Sequence, residues 1–142
     1  MADGLDADAV RTQLREERGD LVAAVLDCAD AVVAGWDDTT TAEATRVTEP
    51  LGATLERAGV LETLPAVLAE CVAAAGGRLR AEPVAAPPYV VVTSVGPVLR
   101  ATLDEERLVV TLRAFRVERD ERGPRYVRDA RTVADAIDVD VV

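Results

Sequence analysis

The sequence predicts an α+β fold: three N-terminal helices packed on a three- to four-stranded antiparallel sheet. Three observations carry this expectation. Up to about Ala75 the apolar residues recur at helical spacing, three or four positions apart. From Tyr89 onward the period changes to two and β-branched residues dominate. Between the halves lies a proline-rich stretch with Pro83, Pro87 and Pro88, which favours extended backbone. At 142 residues the chain fits one domain, divided into a helical half 6–76, a connector 77–88, a β-meander 89–131 and a tail 132–142.

The first helical stretch runs from Asp6 to Trp36. Val10 and Leu14 give it a thin apolar stripe. Gly19-Asp20 then offers a break, with Asp20 as N-cap of a second piece in which Leu21, Val22, Val25, Leu26, Ala29, Val32, Val33 and Trp36 form a wide stripe. Asp27 and Asp30 sit one turn apart on the opposite face, which reads as solvated. Thr40-Thr41-Ala42-Glu43 has the form of a capping box for the next helix, with Thr40 at N-cap and Glu43 reaching back. Val47, Leu51 and Leu55 form its apolar face; Pro50 within it should kink or split it, and Gly59 should stop it. A third helix is expected from Glu62 to Ala75, with Thr63 as cap, Pro65 in its first turn and Gly76-Gly77 at its end.

Tyr89 to Val95 is almost continuously apolar, as in a strand covered on both faces, and Gly96-Pro97 bends the chain. Leu99, Ala101 and Leu103 alternate with Val98, Arg100 and Thr102, a half-buried strand. After the turn Asp104-Glu105-Glu106, the longest strand is expected from Arg107 to Glu118, with Leu108, Val110, Leu112 and Ala114 facing inward. A turn at 119–124 leads to a strand at 125–129. Thr132 caps a short helix. The alternating end Ile137-Asp138-Val139-Asp140-Val141-Val142 reads as an edge strand that docks on the sheet of its own chain, with pairing to a second subunit as the alternative.

Composition narrows the chemistry. Hydrophobic residues make up 49% of the chain but aromatics only 3%, so the core must be built from Ala, Val and Leu, with few anchors for base stacking. The net charge is −10, and all sixteen basic residues are Arg; there is no Lys and no His. Salt screens the mutual repulsion of excess carboxylates, and Arg is the less hydrated of the two cations. The balance therefore points to a protein adapted to high salt, although high-GC codon usage also favours Arg, Ala, Val and Asp. The acidic opening Met1-Ala2-Asp3-Gly4-Leu5-Asp6-Ala7-Asp8 has no basic region followed by an apolar run, and no apolar run reaches the roughly 20 residues of a membrane span. A cytoplasmic protein without membrane contact is expected. Cys28 and Cys71 are isolated within apolar helical windows and read as buried, reduced thiols.

Without His, neither a Ser-His-Asp nor a Cys-His constellation can be assembled. Without Lys there is no Schiff-base lysine and no phosphate-loop lysine. Thr93-Ser94-Val95-Gly96 does not match a nucleophile elbow. The 26 acidic residues leave carboxylate-only chemistry open, but no pair of them has a distinctive spacing. The expectation is no enzyme activity, no cofactor and no metal site.

The remaining candidates are arginines. Between Arg100 and Arg131 there are nine Arg against seven acids, within an otherwise acidic chain. On the predicted long strand Arg107, Thr111, Arg113, Phe115 and Arg119 share the odd face, with Val109 and Val117 among them. A binding surface on Arg107, Arg113, Phe115, Arg116 and Arg119 would suit a protein partner or a small anionic ligand. A nucleic-acid-associated regulator using Arg107, Arg113, Arg116 and Arg119 is the alternative, opposed by the interleaved Glu118, Asp120 and Glu121. Cross-strand Arg–carboxylate pairs on a solvated sheet face are the simpler account of the same residues.

The run Ala86-Pro87-Pro88-Tyr89-Val90-Val91-Val92-Thr93-Ser94, continued by Gly96-Pro97-Val98-Leu99-Arg100, resembles a segment of small uncharacterised haloarchaeal proteins. That resemblance implies a cytoplasmic α+β domain and carries no catalytic or binding residues. The functional expectation is a non-enzymatic, salt-adapted module for protein interaction or small anionic ligands, as a homodimer or with a protein partner.

Overall fold

A computed structural model describes residues 4–142; the opening Met1–Asp3 lies outside the described residues. Four helices precede the main sheet: α1 (Ala7–Glu17), α2 (Gly19–Ala34), α3 (Thr45–Arg57) and α4 (Val60–Ala74). The expected first helix is thus two helices, broken at Arg18. Asp6 caps α1 by accepting from the Ala9 N–H at 3.0 Å. α2 carries no side-chain cap, so Asp20 lies inside it and not at its N-cap.

The capping box at Thr40 does not form. Thr40–Thr41 is a short strand, β1, and α3 begins at Thr45. Two adjacent β-branched residues suit an extended pair, and β1 finds a partner far along the chain. Pro50 neither splits α3 nor ends it. Gly59, with a φ of 75° that glycine adopts freely, ends α3 and also precedes α4, which starts two residues before the expected Glu62. The Thr63 hydroxyl therefore lies within α4 and donates to the Gly59 carbonyl at 2.8 Å. Gly76 and Gly77 close α4 as expected: their N–H groups reach the carbonyls of Ala73 and Val72, at 3.1 and 2.9 Å.

The strands form two antiparallel sheets, where one was expected. The larger has the order β2 (Val90–Val92), β3 (Pro97–Leu103), β4 (Glu106–Leu112), β7 (Ile137–Val141); the smaller has the order β1, β6 (Gly123–Arg128), β5 (Phe115–Asp120). A fifth helix, α5 (Val133–Ala136), lies between β6 and β7, so the helices are not all N-terminal. Thr132 caps it, as its sequence suggests.

The division arises within the expected long strand. At Arg113-Ala114 the backbone leaves the larger sheet: Arg113 N–H donates to Ala136 at 2.7 Å, and Ala114 and Phe115 N–H both donate to the Val95 carbonyl, at 2.8 and 3.1 Å. Leu112, Ala114 and Phe115 are all buried, so the inward parity changes from even to odd across the break. The Thr93–Gly96 turn must approach β4 closely to supply that carbonyl. A Cβ at Gly96, where φ is 144°, would stand 2.0 Å from the Leu112 carbonyl oxygen, so only glycine fits.

Helices α1 and α4 pack on the inner face of the larger sheet, against β7 and β3. That face contributes Val90, Leu99, Ala101, Leu103, Leu108, Val110, Leu112 and Val139 to a core shared with all four long helices. The smaller sheet turns Phe115, Val117, Tyr126 and Arg128 inward, and the Phe115 ring packs tilted on Trp36 with centroids 5.9 Å apart. The C-terminal strand docks in cis, as expected, pairing Ile137–Val141 with β4.

Candidate functional site

The five residues singled out in the sequence are not brought to one surface. Phe115 is wholly buried in the core and presents no ring for stacking. Arg107 belongs to β4 in one sheet, while Arg116 and Arg119 belong to β5 in the other. Side chains alternate along a strand, so Arg116 lies on the face of β5 opposite Phe115. Arg113 sits in the joint between the sheets. Arg113 and Arg116 converge on Asp129, at 3.9 and 3.4 Å, and Arg116 also pairs with Glu118 at 2.9 Å. The Glu118 hydrogen bond, backed by Asp129, pushes the Arg116 pKa above its ordinary value. These guanidinium groups are already answered by carboxylates of their own chain.

Arg128 is the buried charge of the described residues, and sequence analysis did not single it out. Its Nε donates to Asp30 at 2.9 Å, its Nη1 to the carbonyls of Ala114 and Ala130 at 2.8 and 2.6 Å, and its Nη2 to Leu26 at 3.3 Å. The planar fork spans α2, the joint between the sheets and the segment after β6. Asp30 is therefore not merely a solvated carboxylate; it also receives Arg131 at 3.4 Å. With all its bonds made inside the fold, Arg128 is a positioning residue and offers nothing to a ligand.

The thiols are closed off as well. Cys28 and Cys71 are free and buried, and desolvation, with Glu70 nearby, pushes the Cys71 thiol up to about 12. Among the described residues no group of three His, Cys, Asp or Glu side chains is arranged to hold a metal ion. An open cleft of about 830 Å³ lies between the end of α4 and the acidic turn Asp104–Glu106, and a second of about 300 Å³ is bordered by Trp36, Thr40, Arg46 and Arg125. Neither holds a buried, unpartnered polar group.

The surface that remains is the outer face of the larger sheet. Helices α1 and α4 pack on its inner face; by register Val91, Val98 and Val109 lie on the outer face, where Val98 is buried and Val91 and Val109 are half-buried. The register sets the side chains in rows across the strands. Arg100 on β3 pairs with Val109 on β4, which pairs with Asp140 on β7. Beside that row run Val91, Val98, Thr111 and Asp138; on its other side lie Thr102, Arg107 and Val142. Valine and threonine thus occupy the middle, flanked by two arginines and two aspartates. Among the described residues, Arg100, Arg107, Asp138 and Asp140 form no ion pair.

The edges of this sheet are less open than its face. The Arg11 guanidinium, from α1, donates to the Val139 carbonyl at 3.1 Å and so occupies an outward-pointing acceptor of edge strand β7. The opposite edge, β2, is only 3 residues long. A partner is therefore directed to the face of the sheet and away from strand addition at its margin.

Residues 8–142 match the model of one protein family, a domain of unknown function (DUF7988). No curated protein and no solved structure matches the chain.

Proposed function

We propose that this chain, which belongs to the DUF7988 family, is a salt-adapted, non-enzymatic interaction module of the cytoplasm, and that its contact surface is the outer face of the sheet β2-β3-β4-β7. The observation that carries the reading is the row Arg100–Val109–Asp140: an apolar centre with an unpaired charge of each sign on either side, in the manner of an interface core and rim. The absence of His and Lys and the buried thiols support the non-enzymatic part, because they remove the common nucleophiles and bases. The excess of 26 acids over 16 arginines supports the salt adaptation and a haloarchaeal source. No helix of the described residues is long and apolar enough to cross a membrane. A nucleic-acid surface is the weaker reading, because Arg107, Arg113, Arg116 and Arg119 are divided between two sheets and Asp129 and Glu118 already engage Arg113 and Arg116.

A photo-crosslinking side chain at position 109, in the intact protein at molar potassium chloride, tests the surface. The expected result is a discrete protein adduct that a probe at exposed Glu56 on α3 does not give, and that an added Arg100→Asp substitution diminishes. Adducts of equal yield from both positions, or retention of nucleic acid in place of protein, would overturn the reading.

A further inference from the structure

The interaction reading leaves the occupant of the face open, and the charge pattern names one. We infer that the outer face of β2-β3-β4-β7 takes a second copy of this chain, related by a two-fold axis that lies between the two sheets and runs along β4. This inference rests on the sheet-face reading above.

In face-to-face packing, a two-fold axis along β4 places β3 of one copy over β7 of the other, because those strands flank β4 on opposite sides. Arg100 and Asp140 share one row. Arg100 therefore meets the partner's Asp140, Asp140 meets the partner's Arg100, and Val109 packs on the partner's Val109. An axis across the strands would instead stack Arg100 on the partner's Arg100, a like-charge contact that association would desolvate. Of two-fold axes through this row, the one along β4 makes two opposite-charge contacts against one like-charge contact, and the one across the strands makes like-charge contacts at both Arg100 and Asp140. Arg107, on the axis strand itself, faces the partner's Arg107 at the end of the patch, with an Asp140 of each copy diagonal to the pair.

Charge balance favours the same occupant. The chain carries −10, yet Arg100, Arg107, Asp138 and Asp140 sum to zero on this face. At low ionic strength the net charge of the chain opposes self-association, and a neutral patch carrying both signs is where that opposition is least. Size sets the strength. With strands spaced about 4.8 Å and rising about 3.3 Å per residue, the four-stranded face measures roughly 20 Å each way, or about 800 Å² over both copies, below the standard specific interface and in the range of weak, transient contacts. The association is therefore of the weak, transient class.

Sedimentation equilibrium of the full chain, from low to molar potassium chloride, reads the association directly. The wild-type chain should show a concentration-dependent monomer–dimer equilibrium. Arg100→Asp and Asp140→Arg should each weaken it by about tenfold or more, by placing like charges opposite one another. The double variant should restore it, since the swap rebuilds the pairs across the axis. Both side chains are exposed, and an unchanged melting temperature shows that the variants fold. A wild-type chain that stays monomeric overturns the inference, as does a double variant no tighter than the singles. If the chain is monomeric while the probe at position 109 still traps a different protein, the second copy is refuted and the sheet-face reading stands; if neither is found, both fall.

Discussion

The indole N–H of Trp36 donates to the carbonyl of Arg46 at 2.9 Å, and that is the carbonyl which Pro50 leaves without its intrahelical donor. In an α-helix the N–H of each residue bonds to the carbonyl four residues back, and proline has none to give. Trp36, lying just beyond the end of α2, supplies the missing donor from outside, and α3 continues from Thr45 to Arg57. Trp36→Phe should lower stability by about 1 kcal/mol. Pro50→Ala restores a backbone N–H, so in that background the same change should cost measurably less. Urea titration of the four proteins checks the coupling; equal costs in both backgrounds would show that the indole does not serve this carbonyl.

Arg128 joins three parts of the fold through a single guanidinium, and its side chain is 6% exposed. Arg128→Lys keeps the charge but cannot fork to Asp30 and three carbonyls together, and Arg128→Met keeps much of the volume with no donors. Each should cost about 3 kcal/mol, because the buried links to Asp30 and to the Leu26 and Ala114 carbonyls are lost and the Ala130 carbonyl is left without a donor. Thermal unfolding checks this. A Met variant as stable as the wild type would mean that packing, and not hydrogen bonding, is what the position requires.

Arg18 and Glu70 tie the α1–α2 break to α4. The Nε bonds Oε1 at 2.8 Å and Nη2 bonds Oε2, with Gln13 adding a third donor at 3.4 Å. The Arg18 hydrogen bond holds the Glu70 carboxyl below its ordinary range. A depressed carboxylate contributes stability that is fully present above its unfolded pKa, roughly 4.3, and is lost as pH falls through the folded value. Both side chains are about one-third exposed, at 28% and 35%, so solvent screening reduces the contribution to about 1 kcal/mol. Glu70→Gln should destabilise the protein at pH 7 and should flatten its loss of stability below about pH 4. Stability curves of both proteins across that window test the assignment, and parallel acid limbs would refute it.

Salt should act on the whole molecule. With 26 acids and 16 arginines, repulsion among surface carboxylates opposes folding at low ionic strength. Molar potassium chloride shortens the screening length to roughly 3 Å and removes most of that repulsion. The melting temperature is expected to rise steadily from low to molar salt. A temperature independent of salt would remove the case for salt adaptation.

Much of the fold was legible because its signals are local. Asp6 and Thr132 mark helix starts, Gly59 and Gly76-Gly77 mark helix ends, and the alternation of Leu99, Ala101 and Leu103 with Arg100 and Thr102 marks β3. The candidate face was legible in pieces only. Arg100 and Asp140 each alternate outward on their own strands, but nothing local places them in one row; that required β7 to pair with β4 across the intervening β5, β6 and α5. Arg107, Arg113 and Arg119 misled because one continuous strand would have given them one face.

The amino-acid order by itself determined the helix and strand periods, the cap at Thr132, the arginine-only basic set and the loss of imidazole and amine chemistry, all properties of residue type and short spacing. Only the tertiary structure decided that the strands divide into two sheets, that Phe115 is core and not surface, that Pro50 is tolerated and that Arg128 is buried. Each of those outcomes depends on a backbone or side-chain partner distant in sequence: Val95 for the sheet break, Trp36 for Pro50, Asp30 for Arg128. A hydrogen-bonding group taken from water must find a partner within the fold, and which partner it finds is settled by the packing of the whole chain.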